Sequence, residues 1–154
     1  MEITLCTKAD FDQIISDFVD FWGSERTKSL HNPILLYEFG NSAYVAKEGK
    51  KVVGYLFGFI SQTEPVGYVK FIGVRRSYQK RGIGRLLYEH FTEFARAKGC
   101  RELKAITSPQ NKVSVAFHKS IGMELLGEPN ADGVPVVRDY SGPGIDRVVF
   151  RKKI

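Results

Sequence analysis

The chain is short of cysteine, with Cys6 and Cys100 alone among 154 residues. Two isolated thiols build neither a disulfide framework nor a metal site, and they suit a reducing, cytoplasmic setting. Long apolar runs are missing too. Nothing approaches the ~18 consecutive apolar residues of a membrane span, and the opening MEITLCTKADF lacks the apolar core of a secretory signal. There is no internal repeat, low-complexity tract or linker. What is there reads as an ordinary globular composition, 43% hydrophobic and 26% charged, in one domain over residues 1–154.

The net charge of +6 admits a polyanionic partner, and its distribution is uneven. Residues 70–85 hold six cations (Lys70, Arg75, Arg76, Lys80, Arg81, Arg85) and no acid, whereas 128–146 sets Glu128, Asp132, Asp139 and Asp146 against Arg138. A nucleic-acid binder spreads its charge over one broad face. Here the excess sits beside Gly82 and Gly84, which argues against nucleic acid and for a compact anion.

Along the chain, apolar spacing predicts a helix over 7–21 capped by Thr7 or Asp10, and a short helix over 31–39. A hairpin follows, 42–46 and 52–60, turning at Gly49, then a strand over 67–74. The clearest helix spans 82–98, stopped by Gly99. After a strand at 102–107, Ser108-Pro109 reads as the start of a helix running to Ile121. Strands at 123–127 and 146–152 flank a loop over 130–144. This order predicts an α/β fold: a mixed, mostly antiparallel twisted sheet with one parallel strand–helix–strand crossover and helices on both faces.

Two constellations carry chemistry. Residues 74–84, VRRSYQKRGIG, join a strand to a helix through a basic, glycine-containing turn. Helix N-termini leave four donors unsatisfied at the positive end of a dipole, so the turn reads as a phosphate or pyrophosphate cradle. The alternative is a plain connecting loop. No GxxxxGK[ST] is present, and Leu87 stands where a dinucleotide fingerprint needs its third glycine. The second constellation is Asn111 and His118. Seven residues at ~100° each come to ~700°, so both project from nearly one helix face. They suit a ligand beside the helix, or else a helix cap and a surface histidine.

Taken together the stretches resemble the GCN5-related N-acetyltransferase (GNAT) family. Gln79-Lys80-Arg81-Gly82-Ile83-Gly84 matches its [Q/R]-x-x-G-x-[G/A] turn, and Asn111 followed by Phe117-His118-Lys119-Ser120-Ile121-Gly122-Met123 matches its later motif. The resemblance implies an acyl-CoA N-acyltransferase fold and an enzyme that passes an acetyl group from acetyl-CoA to an amine through a tetrahedral intermediate. It implies that Ile72, Gly73 and Val74 hold the pantetheine and acetyl end in a gap between parallel strands. The turn Gln79–Arg85 would take the pyrophosphate and Asn111 would bond the CoA arm, with no metal.

Two departures stand out. His118 occupies the place of the family's thiolate-protonating tyrosine and is the expected acid. Ile106 stands where some relatives carry a glutamate base, leaving Glu38, Glu64, Asp139, Tyr140 or a water chain as candidates. Direct transfer in a ternary complex would need neither cysteine as nucleophile. The acidic 128–146 loop is expected to attract a cationic amine, with a solvated polar loop as the alternative. A homodimer is compatible with the resemblance. A non-catalytic acyl-CoA sensor and a nucleic-acid module stay open as other classes.

Overall fold

The computed structural model describes residues 1–154. A seven-stranded sheet forms the centre, in spatial order β1 (Glu2–Leu5), β2 (Ala43–Glu48), β3 (Lys51–Ile60), β4 (Val66–Val74), β5 (Glu102–Thr107), β9 (Val148–Lys153), β6 (Glu124–Leu125). All neighbours run antiparallel except β4 and β5. One face carries α1 (Lys8–Ser16), α2 (Phe18–Trp22) and the single turn α3 (Ile34–Tyr37); the other carries α4 (Ile83–Ala97) and α5 (Lys112–Ser120). A two-stranded ribbon, β7 (Glu128–Pro129) with β8 (Pro135–Val136), forms a second sheet whose Val136 is buried in the α4-side core. The α/β mixed sheet with a parallel crossover is thus present, and no helix is long and apolar enough to cross a membrane.

Helix α4 shows how the sequence builds the layer. Ile83, Leu87, Phe91 and Ala95 recur every fourth residue and all are buried, with Gly84 and Tyr88 beside them. Each large apolar side chain so buried contributes roughly 1.5–3 kcal/mol. The stripe lies on Val53, Leu56, Val69, Leu103 and Phe150 of the sheet. Glycines in β3 and β4 let the helix come close: a Cβ at Gly58 would meet the Phe91 ring at 2.8 Å, and one at Gly67 would meet Ala95 at 2.9 Å.

Four expectations need correcting. The chain begins with edge strand β1, not a helix; Glu2–Leu5 is too short for its alternation to be read without its partner β2. The helix expected over 7–21 is capped at Thr7, by a reciprocal box with Asp10, but breaks at Asp17 into α1 and α2. The helix expected over 31–39 shrinks to one turn because His31 turns into the core ahead of Pro33. Helix α5 starts after Asn111, not at Pro109, since Asn111 Oδ1 accepts from Ser114 N–H at 3.1 Å.

Arg75 explains the break at Asp17. It is 3% exposed and donates to Asp17 Oδ2 and Asp20 Oδ2 (2.8 Å each), to Gln13 Oε1 and to the Val52 carbonyl. Its guanidinium also lies 4.7 Å from the Phe21 ring centre. One cation therefore ties both short helices to the end of β4.

Each face also buries one neutral histidine. His31 donates from Nδ1 to the Thr27 carbonyl (3.2 Å) and accepts at Nε2 from Tyr55 Oη (2.8 Å); its ring stacks on Phe71 at 3.9 Å. His118 donates from Nδ1 to the Ser114 carbonyl (2.8 Å), accepts at Nε2 from Tyr88 Oη (2.8 Å) and stacks on Phe150 at 4.2 Å. Burial pushes both imidazoles down to about 4.

Replacing Arg75 with Met leaves the Val52 carbonyl unpaired while the half-exposed Asp17 and Asp20 rehydrate, so a loss of about 1–3 kcal/mol is expected. An unchanged urea midpoint would contradict the anchoring role. The histidines set a pH window. An unfolded chain takes up protons near the ordinary value of 6.5 whereas the fold resists them down to about 4. Stability is therefore full above that ordinary value and declines below it, by about 1.4 kcal/mol per histidine per pH unit. Urea midpoints at about pH 7.5 and about pH 5 should differ accordingly.

Candidate functional site

The turn between β4 and α4 exposes a row of donors. None of the backbone N–H groups of residues 80–85 finds an acceptor in the fold, and the first helical bond runs from Leu86 N–H to the Gly82 carbonyl. Gly82 caps the helix at φ +81 with open space where a Cβ would sit, and Lys80 is also left-handed, at φ 62. Alternating hand in successive residues curls their N–H groups into a concave anion site at the positive helix end. Gln79 ties the turn back by donating to the Val74 carbonyl at 3.2 Å.

Fewer cations serve this turn than the run of six implies. Arg75 is spent on α1 and α2, and Arg76 folds against Gly23. Arg85 donates to the Ser120 carbonyl at the end of α5. Lys70 sits back on β4 over the Phe71 ring, so Lys80 and Arg81 remain, both exposed, the latter 5.0 Å from the Tyr78 ring centre. Gly84 serves packing. A Cβ there would meet the Phe117 ring at 2.8 Å, so the glycine seats α5 against the first turn of α4.

Below the turn, β4 and β5 part company. They pair in parallel over three registers only, Val66↔Glu102, Gly67↔Leu103 and Tyr68↔Lys104. Strand β4 stays bonded to β3 through Val74↔Gly54, with Lys70 as an extra, bulged residue. Arg75 N–H donates to the Val53 carbonyl, so alternation turns the backbone of Ile72 and Val74 away from β3 and into the gap. Gly73, on the α1 side, lies under the Tyr55 ring, 2.8 Å from where its Cβ would be.

The helix-borne pair divides. Asn111 spends Oδ1 on its cap, and its amide nitrogen has no partner in the fold. His118 is 3% exposed with both ring nitrogens bonded inside the protein. The geometry gives it no free nitrogen to aim at a ligand, which spacing alone could not reveal.

The face of the sheet away from α4 and α5 holds further residues that the motifs did not flag. Phe59 and Tyr68 stack at 5.1 Å, and Lys104 Nζ lies 5.2 Å from the Tyr140 ring centre. Arg151 pairs with both Glu102 (2.6 Å) and Glu64 (3.4 Å). Trp22 Nε1 donates to Tyr55 Oη, which in turn donates to His31, roofing Gly73 and Phe71. Only their meeting across four strands makes these a set.

Among the candidate bases, Glu64 is thus engaged by Arg151, which holds its carboxyl below the usual range. Glu38 lines a cavity of about 420 Å³ with Phe39, Phe59 and Phe94, at the closed end of the sheet and away from the gap. In the acidic loop, Asp139 Oδ1 accepts from Gly144 N–H (2.7 Å) and Asp146 Oδ1 from Asp139 N–H (2.9 Å), so two of its four carboxylates hold the loop's own shape.

N-alpha-acetyltransferase RimI of Mycobacterium tuberculosis is 37% identical over 107 residues, 64% of this chain and 66% of that protein. L-2,4-diaminobutyric acid acetyltransferase of Shouchella clausii is 32% identical over 97 residues, 62% of this chain and 54% of that protein, so the match spans about half of its length. In fold, Ard1 from Thermoplasma volcanium superposes with a TM-score of 0.77 at 15% identity, over 99% of this chain and 97% of that one. A sequence model of the acetyltransferase (GNAT) family matches residues 11–123. A match over most of its length makes the chain a member of the acetyltransferase (GNAT) family.

Proposed function

We propose that the chain is an acetyl-CoA-dependent N-acetyltransferase acting on a primary amine of a small molecule or peptide, by direct transfer with both substrates bound. The observation that carries this reading is the join of a donor-only cradle at residues 80–85 to the open backbone edge of Ile72 and Val74. An elongated thioester with phosphates at one end fits that join. The two relatives bear names with different acceptors, diaminobutyric acid and an alpha amine, so they support the reaction type rather than one acceptor.

Acetyl-CoA supplies the acetyl group and the departing thiolate. The backbone of Lys80–Arg85 would bind the pyrophosphate, aided by the charges of Lys80 and Arg81, with Gln79 bracing the turn. Ile72, Gly73 and Val74 would hold the pantetheine arm, and an N–H of Ile72 or Val74 would stabilise negative charge developing on the carbonyl oxygen. The Asn111 amide nitrogen is free to bond the arm. Cys6 and Cys100 are buried, with the Cys6 thiol pushed up to about 12, which disfavours a thiolate relay.

His118 fits a positioning role better than the proton-donor role its place in the motif implies. A neutral imidazole bonded to Ser114 and Tyr88 orients α5 against α4 and β9. The amine proton would then leave to water or to the thiolate itself. A second reading, a non-catalytic acyl-CoA sensor, draws on this burial, because it removes the expected acid. Thioester consumption with a panel of amines separates the two: turnover excludes the sensor. A cytoplasmic setting suits two free thiols, and a homodimer remains compatible with the resemblance.

The double variant Lys80→Gln/Arg81→Gln keeps every backbone donor and loses only charge. Its affinity for acetyl-CoA should fall about tenfold at low salt and recover part of that difference against wild type at high salt. Affinity for acetyl-pantetheine, which has no pyrophosphate, should stay level; an equal loss there would remove the assignment. For His118, the variant His118→Gln keeps an acceptor for Tyr88. A positioning role predicts kcat within about tenfold of wild type and no histidine inflection in the pH profile, whereas a lost general acid costs ~10²–10⁴.

A further inference from the structure

The floor next to the gap carries two cations that form no ion pair, Lys104 and Lys70, although the charge of Lys104 helps to lower the Glu64 carboxyl. Leu103 and Ala105 lie in the α4 core, so alternation sends Glu102, Lys104 and Ile106 to the opposite face. There Lys104 stands at the last paired register of β4 and β5, beside Tyr68, where the gap closes. Of the acids around this floor, Glu64 and Glu102 are both engaged by Arg151, and Glu38 lines the cavity beyond Phe59, the ring stacked on Tyr68. Lys104 makes no ion pair or hydrogen bond and directs Nζ to the face of Tyr140 from the 137–147 loop. Lys70, the bulged residue, lies over Phe71 and within reach of His31, again without a carboxylate. The Tyr68 hydroxyl has no partner either, and burial pushes it up to about 12, so it stays a donor.

Two ammonium groups and a phenol around one end of a cleft form an anion-recognising set. Resting on the acetyl-transfer reading, we infer that the acceptor amine carries a carboxylate or comparable acidic group, bound by Lys104 with Lys70 and the Tyr68 hydroxyl. The same two positive charges disfavour the ammonium form of the incoming amine. It is presented as the free base, the form that attacks, without the carboxylate base that Ile106 replaces. This reverses the expectation that the acidic 128–146 loop selects a cationic acceptor.

The test pairs α-amino acids with their carboxamides and polyamines under saturating acetyl-CoA. Acids should exceed amides at least about tenfold in kcat/KM. Lys104→Met should collapse that acid-to-amide ratio toward one, and Lys104→Arg should restore it. Preference for amides or polyamines, or a ratio that survives Lys104→Met, overturns the inference. If the chain binds CoA yet acetylates no amine, the transferase reading fails by itself. The acid preference is then read by calorimetric titration of N-acetyl amino acids and their amides into CoA-saturated protein, where equal affinities overturn it.

Discussion

Strand β4 is bonded along one edge and released along the other, and the site follows from that asymmetry. Toward β3 it keeps its ladder to the end, absorbing one extra residue at Lys70. Toward β5 it lets go after Tyr68. Arg75, at the first position beyond the strand, fastens the end of β4 to α1 and α2 and so holds it on the side away from β5. Unpaired backbone donors and acceptors are costly when buried. Here they are kept open beside a ladder to β3 that stays bonded throughout, which makes the gap a ready receiver for a ligand with amide groups of its own.

The two faces of the sheet divide the labour. The α4 and α5 side is a close-packed core whose glycines admit rings: Phe91 at Gly58 and Phe117 at Gly84. The cradle for an anion is the solvent end of that packed helix, so its geometry inherits the rigidity of the core. The opposite side is aromatic, with His31 packed on Tyr55 and Phe71 and with Phe59 stacked on Tyr68 across β3 and β4. Cations of the basic run are shared among these tasks. Arg75 and Arg85 are structural, and only Lys80 and Arg81 face the cradle freely.

How much was legible in the sequence depended on range. Local signals read correctly: a helix cap at one of two candidates, Thr7, the Gly49 turn, the stripe of α4 and the glycine turn before it. The family resemblance rested on contiguous motifs, and the match over 11–123 agrees with it. What stayed hidden required a partner distant in the chain. Edge strand β1 has four residues and no meaning without β2. Arg75 looked like one more ligand-facing cation because its carboxylates lie more than fifty residues upstream. His118 shares a helix face with Asn111, yet Tyr88 and Phe150, from two other elements, decide that this histidine is enclosed. Lys104 carried no motif at all, and only the register with Tyr68 gives it a place.

Gly73 has no side chain, and the ring of Tyr55 fills the room that one would take. The ceiling over that part of β4 is therefore encoded on the neighbouring strand and tethered by Trp22 and His31. On the proposed acetyl-transfer reading, headroom for the transferred group would be separable from the backbone proposed to hold it. On that reading, Tyr55 on β3, and not a residue of β4, would set how long an acyl chain fits above Gly73.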